Sequence, residues 1–205
     1  TEIRFNSEWC APLSFADVLR LSAHVTVAQM LARDDFQKRF RDNQPISLVE
    51  FLYPVIQGYD SVKVQADIEI GGTDQLFNLL VGRDLQKAFG VEQQVVLTLP
   101  LLEGLDGSRK MSKSLGNYVG IAEPPREMFG KMMSLPDALM GRYFMLLTGR
   151  TEEEVRGWEQ EMAHGKRHPR QVKDELACAV VGRFHGREAA LAASAEFARV
   201  FSENQ

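Results

Sequence analysis

The sequence predicts a mixed fold, a parallel α/β unit followed by an all-α region, and three observations carry that prediction. An alternating stretch from Val62 to Ile70 runs into a glycine pair, Gly71-Gly72. A helical stretch from Leu76 to Phe89 and an apolar run from Val95 to Leu99 follow, and strand, helix, strand in that order makes a parallel unit. Beyond about residue 119 the apolar spacing turns helical and stays so to the end. The 205 residues suit one large domain or two modest ones, and 44% hydrophobic with 25% charged residues is globular composition. A net charge of −4 excludes a global field for nucleic acid, so any RNA contact must use a local patch. Cys10 and Cys178 form neither a metal-ligand spacing nor a disulfide framework, which fits a reducing compartment. No apolar run approaches membrane-spanning length and no secretory pattern opens the chain. The expectation is a cytoplasmic protein with no membrane partner.

The opening third reads as helices. Ser14 to Leu21 spaces Phe15, Val18, Leu19 and Leu21 on a helical face, and a second pattern runs from Thr26 through Met30 and Phe36 to Phe40. His24 stands without a ligand partner and reads as a surface or cap residue. Ser47-Leu48-Val49-Glu50 is a capping box that starts a mostly apolar helix to about Ser61, with Pro54 inside it as an expected kink. On that helix Tyr53, Gln57 and Asp60 fall at i, i+4 and i+7 and project from one face. Polar groups on a buried helix need partners. The stripe is therefore either ligand-facing or a set of satisfied polar side chains.

Gly71-Gly72-Thr73-Asp74-Gln75 joins the predicted strand to the next helix. Glycines admit close backbone approach and helix-start amides favour anions, although simple turn capping by Thr73 or Asp74 accounts for the same residues. Val95 to Leu99 reads as a buried strand stopped by Pro100. Ligands of parallel sheets bind beyond the carboxyl ends of the strands. There the chain enters the loop Lys110-Met111-Ser112-Lys113-Ser114, flanked by Gly104, Gly107 and Gly116. Lysines and hydroxyls on such a tether suit a polyphosphate whose charge shifts during reaction, while composition alone reads as a solvated loop.

The C-terminal helices are expected from Pro125, from Pro136 through Leu147, from the Thr151/Glu154 capping box, from Pro169 to about His185, and from beyond Gly186 to Phe201. The methionines among them read as core filler. Lys166, Arg167, His168, Arg170 and Lys173 form a local basic cluster, by default a solvated helix start.

Taken in order, Tyr53-Pro54-Val55-Ile56-Gln57-Gly58-Tyr59-Asp60, Gly71 to Gln75 and Lys110 to Ser114 resemble the bacterial tyrosyl-tRNA synthetases, of the class I aminoacyl-tRNA synthetases. The resemblance covers essentially the whole chain. It implies the C-terminal half of a Rossmann-like nucleotide-binding domain with parallel strands, then an all-α domain. Residues 1–118 would be catalytic, with a helical insertion at 14–45, and residues 119–205 would meet the tRNA anticodon arm, with the basic cluster as a phosphate contact. It implies tyrosine, ATP with Mg2+, and tRNA(Tyr) as partners, and a homodimer. Tyr53 and Gln57 would hold the substrate's ammonium, Asp60 its phenolic hydroxyl, and Gln75 would lie near its carboxylate and the α-phosphate. Gly72 and Asp74 would contact the ribose, Met111 the adenine, and Lys110 and Lys113 would be catalytic. Tryptophanyl-tRNA synthetases share the glycine-led Asp-Gln and the loop, but Tyr53, Gln57 and Asp60 fit the tyrosine enzymes better.

One departure stands out. The other class I signature, His-Ile-Gly-His or His-Leu-Gly-His, is absent, and Ser22-Ala23-His24-Val25 does not replace it. The resemblance then implies a fragment that begins partway into the catalytic domain and ends before the family's small RNA-binding domain. Such a fragment is expected to have little activity alone, and a non-catalytic RNA-binding or interaction module is the alternative.

Overall fold

Residues 1–202 are described in a computed structural model, which divides into two units, Thr1–Pro100 and Leu101–Gln205. In the first unit α1 (Ser7–Cys10) leads to α2 (Phe15–Ser22), which Ser14 and Asp17 start with a capping box. The single run expected from Thr26 is split in two. Thr26 and Gln29 cap the short α3 (Val27–Met30), and α4 (Asp34–Arg41) begins anew after the extended Arg33. Asp34 and Asp35 favour a fresh helix start because they complement its amide dipoles. Met30 and Phe36 are both buried, and the Arg33 guanidinium lies over the Phe36 ring at 4.9 Å. His24 packs its ring on Phe89, with centroids 5.4 Å apart.

The helix α5 (Leu48–Val64) is longer than its apolar pattern suggested, and it overturns part of the strand expected from Val62. Val62 and Val64 alternate with polar residues, yet Val62 also falls seven residues after Val55 and three after Tyr59. All three side chains are buried on one helical face. Gln65 then closes the helix in the left-handed conformation, at φ 53°. The strand that follows is short: β1 (Ile68–Gly72) takes in the glycine pair, and a 3-10 turn, Thr73–Gln75, passes directly into α6 (Leu76–Ala88).

The second strand, β2 (Val95–Leu99), pairs parallel to β1 in the register Ile68↔Val95, Ile70↔Leu97 and Gly72↔Leu99. One face of this two-stranded sheet lies against α6, where a side chain on Gly71 would meet Leu79 at 3.0 Å. The other face carries Ile68, Ile70, Val95, Leu97 and Leu99, and all five are exposed, Ile70 at 63%. The expectation of a buried β2 is corrected accordingly. Side chains alternate across a strand, and only the α6 face is covered by described residues.

A polar network replaces apolar contact where the sheet meets the helices. Ser61 donates to Glu69 (2.8 Å), Gln94 donates to the same carboxylate, and the buried Gln86 and Gln94 bond each other. Each of these amides is satisfied, as burial requires.

In the second unit a stem, residues 101–111, precedes α7 (Pro125–Met133). A 3-10 turn, Asp137–Leu139, leads into α8 (Met140–Thr148), so Pro136 starts the 3-10 turn rather than the α-helix itself. Then come α9 (Glu152–Ala163), capped by Thr151 and Glu154, α10 (Pro169–His185) and α11 (Arg187–Ser202). Their shared core holds Met128, Phe129, Met132, Leu135, Met140, Tyr143, Leu176 and Val181, each at 2% exposure or less. The methionines fill this core. Ala190 and Ala193 let α11 approach closely.

Tyr143 ties this core to the stem: its buried hydroxyl donates to the Glu103 carbonyl, and Arg142 donates to the Leu101 carbonyl at 2.8 Å. Burial, reinforced by the charges of Glu103 and Asp106, pushes the phenol from 10.0 up to about 12. A raised acid pKa favours the neutral form in the fold. Its stability contribution is complete below the unfolded value near 10 and is lost as pH rises through about 12. Tyr143→Phe is expected to cost about 1–3 kcal/mol at pH 7, because the Glu103 carbonyl loses its donor. The variant is also expected to show a shallower alkaline decline in melting temperature than the unmodified chain. Parallel declines between pH 10 and 12 would exclude Tyr143 as their source.

Candidate functional site

In the first unit the site is built where α5 crosses α6. A Cβ on Gly58 would come within 3.1 Å of the Gly82 amide nitrogen, and one on Gly82 would come within 2.7 Å of the Ser61 hydroxyl. Two glycines at the crossing let the helix backbones approach, which brings the polar stripe of α5 to the start of α6. Gln57 and Asp60 are half-buried there, while Tyr53, one turn earlier, is 64% exposed.

Asn78, on the first turn of α6, joins the two halves. Its Nδ2 donates to Gln57 Oε1 at 2.9 Å and to Gln75 Oε1 at 3.1 Å, and Gln75 Nε2 donates to Asp74 Oδ2 at 3.3 Å. The structure thus links Gln57 on α5 with Gln75 and Asp74 on the glycine-led turn. Gly72 closes β1 just before that turn and pairs with Leu99. On the other side of the stripe, the Trp9 indole donates to Asp60 Oδ1 at 2.7 Å. Cys10 follows Trp9, and burial together with the Asp60 charge pushes its thiol pKa up.

Neither Trp9 nor Asn78 was singled out from the sequence. The available signals were weak. A buried indole needs an acceptor, and Asn78 is a polar residue on the apolar face of a helix between Leu76 and Leu79.

The second unit holds the loop that contains Lys110, Met111 and Lys113. Glu103 and Lys110 form an antiparallel bridge, and the Met111 N–H donates to the Leu102 carbonyl at 2.8 Å. Inside the turn, Asp106 accepts the Arg109 and Ser108 amides at 3.0 and 3.1 Å and the Asn117 amide at 2.8 Å. Those bonds, led by the Arg109 amide, hold its carboxyl well below the usual carboxylate range. Asn117 is buried and braces the loop from within. It donates to the Lys110 carbonyl (3.1 Å) and accepts the Ser112 amide (2.8 Å). Gly104 is required beside it, since a Cβ there would land on the Asn117 side chain. Met111 packs its side chain on the helical core, and Lys113 opens an exposed 3-10 turn, Lys113–Leu115.

Three members of the basic cluster are engaged within the chain: His168 accepts the Arg170 amide at 3.1 Å as the cap of α10, and two more form ion pairs. Lys173 pairs with Asp137 at 2.6 Å, and Arg167 pairs with Glu175 while lying 5.2 Å from the Trp158 ring centre.

The first unit thus carries a polar stripe and a glycine-led turn on a parallel α/β scaffold, and the second carries a braced lysine–serine loop ahead of a helical core. The chain belongs to the class I tRNA synthetases (W and Y), whose family model matches residues 1–202. Among curated proteins it is 56% identical over 203 residues to the tyrosine–tRNA ligase of Oleidesulfovibrio alaskensis, covering 99% of this chain and 51% of that protein. It is 55% identical over 204 residues to that of Moorella thermoacetica, covering 100% and 49%. The chain spans about half the length of these curated relatives. Among solved structures, a C-terminally truncated Aspergillus nidulans mitochondrial tyrosyl-tRNA synthetase superposes with a TM-score of 0.68 at 23% identity, over 95% of this chain and 57% of that one. The Archaeoglobus fulgidus tyrosyl-tRNA synthetase complexed with L-tyrosine gives 0.60 at 24%, over 92% and 65%. The fold is theirs.

Proposed function

We propose that the polypeptide carrying this chain activates tyrosine with ATP and transfers the tyrosyl group to tRNA(Tyr). One observation carries the proposal: the Asn78 bridge joins Gln57, from the stripe suited to an amino acid, to Gln75 and Asp74, from the turn suited to a nucleotide. The naming of its relatives as tyrosine–tRNA ligases supports the same reading.

In the first step a tyrosine carboxylate oxygen attacks the α-phosphorus of ATP, a new P–O bond forms, and the bond to the β-phosphate oxygen breaks to release pyrophosphate. The carboxylate is already a nucleophile, so positioning and charge stabilisation supply the catalysis. Asp60 accepts the phenolic hydroxyl through the oxygen that Trp9 leaves open. Tyr53 and Gln57 take the ammonium. Gln75 faces the carboxylate and α-phosphate, and Gly72 and Asp74 face the ribose. Lys110 and Lys113 neutralise the departing pyrophosphate. The Met111 amide N–H is committed to Leu102, so a backbone contact from Met111 to adenine uses its carbonyl. Mg2+ supplied with ATP would offset phosphate charge alongside Lys110 and Lys113.

Within this reading, residues 1–118 serve catalysis and 119–205 the anticodon arm. A phosphate contact in the basic cluster then falls to Lys166 and Arg170, because Arg167 and Lys173 are already paired. Self-association of two copies is supported by Leu48 and Val49, apolar and exposed at the start of α5. Among the described residues no helix is long and apolar enough to cross a membrane.

The test is ATP–pyrophosphate exchange by the longest reading frame that contains this chain, assayed with each amino acid in turn. Exchange is expected with tyrosine. Exchange with tryptophan alone would replace the substrate assignment, and RNA binding without any exchange would move the protein to the non-catalytic reading.

A further inference from the structure

We infer that Asn78 is a positioning residue that sets the orientation of both site glutamines, Gln57 and Gln75, an inference that rests on the tyrosine-activation reading. Asn78 is 4% exposed, and a single atom, Nδ2, supplies both of its bonds to them. An amide nitrogen carries two hydrogens and can serve two acceptors at once. A carboxylate there has no donor, and a hydroxyl has one. The choice of asparagine is thus specific to bridging.

That choice works against the fold. The other polar atom of Asn78, Oδ1, is buried and has no partner among the described residues. A buried acceptor without a donor costs stability, and asparagine is a poorer helix residue than leucine. Its neighbours on the buried side of α6, Leu79 and Val81, are apolar and buried. A leucine at 78 would meet the same packing requirement without an orphaned oxygen. An unfavourable residue in a buried position calls for a role outside stability, and the two bonds to the glutamines supply it.

The consequence for the site is directional. The terminal torsion of a free glutamine is broad, so an unbraced Gln57 or Gln75 presents oxygen or nitrogen with little preference. With both Oε1 atoms drawn to Asn78, each Nε2 is turned away from it, and Gln75 Nε2 lies toward Asp74. Gln57 Oε1 keeps one lone pair for the substrate ammonium, in a direction fixed by the bond already made. Gln75 keeps a donor hydrogen for the carboxylate and α-phosphate oxygens. Asn78 touches no substrate in this scheme. It makes one glutamine an acceptor and the other a donor before substrate arrives.

The experiment is tyrosine-dependent ATP–pyrophosphate exchange by the longest reading frame containing the chain, comparing the unmodified protein with Asn78→Leu. The tyrosine KM is expected to rise about 10–100-fold, the scale of two lost hydrogen bonds, while the ATP KM moves less than about 3-fold. The melting temperature is expected to hold or rise, whereas a merely structural role would lower it. Adding Gln57→Ala to Asn78→Leu is expected to raise the tyrosine KM no further, because the glutamine has already lost its alignment. A folded Asn78→Leu protein with an unchanged tyrosine KM, or full additivity in the double variant, would overturn the inference. Should the leucine variant fail to fold, Asn78→Asp keeps the volume, removes the donor and carries the same expectation for the tyrosine KM and for the double variant with Gln57→Ala, while its buried carboxylate is expected to lower the melting temperature. Absence of tyrosine-dependent exchange in the unmodified protein would instead reject the tyrosine-activation reading, and the two failures are thereby distinct.

Discussion

Lys113→Ala, made in the longest reading frame containing the chain, is expected to slow adenylate formation about 10²–10³-fold while tyrosine binding scarcely moves. That is the scale on which removal of one preorganised transition-state donor acts. Lys113 opens the exposed turn after Ser112, whereas the loop's shape is maintained by Asn117 and Asp106. Truncating Lys113 therefore removes a cation without removing the bracing. The negative charge it would meet grows on the bridging oxygen only as pyrophosphate departs, so the loss belongs in the chemical step. Stopped-flow measurement separates the two quantities. Weakened tyrosine binding with an unchanged chemical rate would refute the role. A loss of similar size in Lys113→Met, which retains length and removes charge, is expected on the same grounds.

Phe129→Ala is expected to lower the unfolding free energy of the helical unit by about 3–5 kcal/mol, the usual cost of emptying a fully buried aromatic site. Phe129 is 0% exposed, lies among the methionines of α7 and sets its ring 5.6 Å from that of Phe197 on α11. Domains are stable by about 5–15 kcal/mol, so this loss approaches the whole margin. The same core supports the Met111 side chain, and the Tyr143 hydroxyl fixes the stem at Glu103. Softening the core should loosen the lysine–serine loop as well. Denaturant melts with an unchanged slope and a lower midpoint would establish the effect as stability. A midpoint within experimental error of the unmodified protein would exclude Phe129 as a packing centre.

Much of this fold is legible residue by residue. The capping boxes at Ser14, Thr26, Ser47 and Thr151, Pro169 at the start of α10 and Gly186 after it mark helix ends through local chemistry. The boundaries of α10 and β2 follow from pattern and breaker alone. Val62 to Val64 misled because Val62, read as the start of an alternation, also continues the helical face of Val55 and Tyr59, and its burial there decides between the two while Val64 is exposed. Thr26 to Phe40 misled for a related reason. Continuous apolar spacing does not reveal that Arg33 turns extended before a new acidic helix start.

The site divides in the same way. Spacing and order set out the stripe of Tyr53, Gln57 and Asp60, the glycine-led turn of Gly72, Asp74 and Gln75, and the lysine–serine loop, and the resemblance these carry singled them out as site residues. The residues that brace them were not legible. Trp9 reaches Asp60 across 51 positions and Asn78 reaches Gln57 across 21. Asn117 braces a turn whose shape its own bonds create. By itself, then, the sequence marked the stripe, the turn and the loop as candidates, because those depend on side-chain type and local period, and the family resemblance supplied the chemistry expected of them. Only the tertiary structure decided how those residues are aimed. Aim depends on which helices approach at Gly58 and Gly82 and on where a buried amide finds its two acceptors.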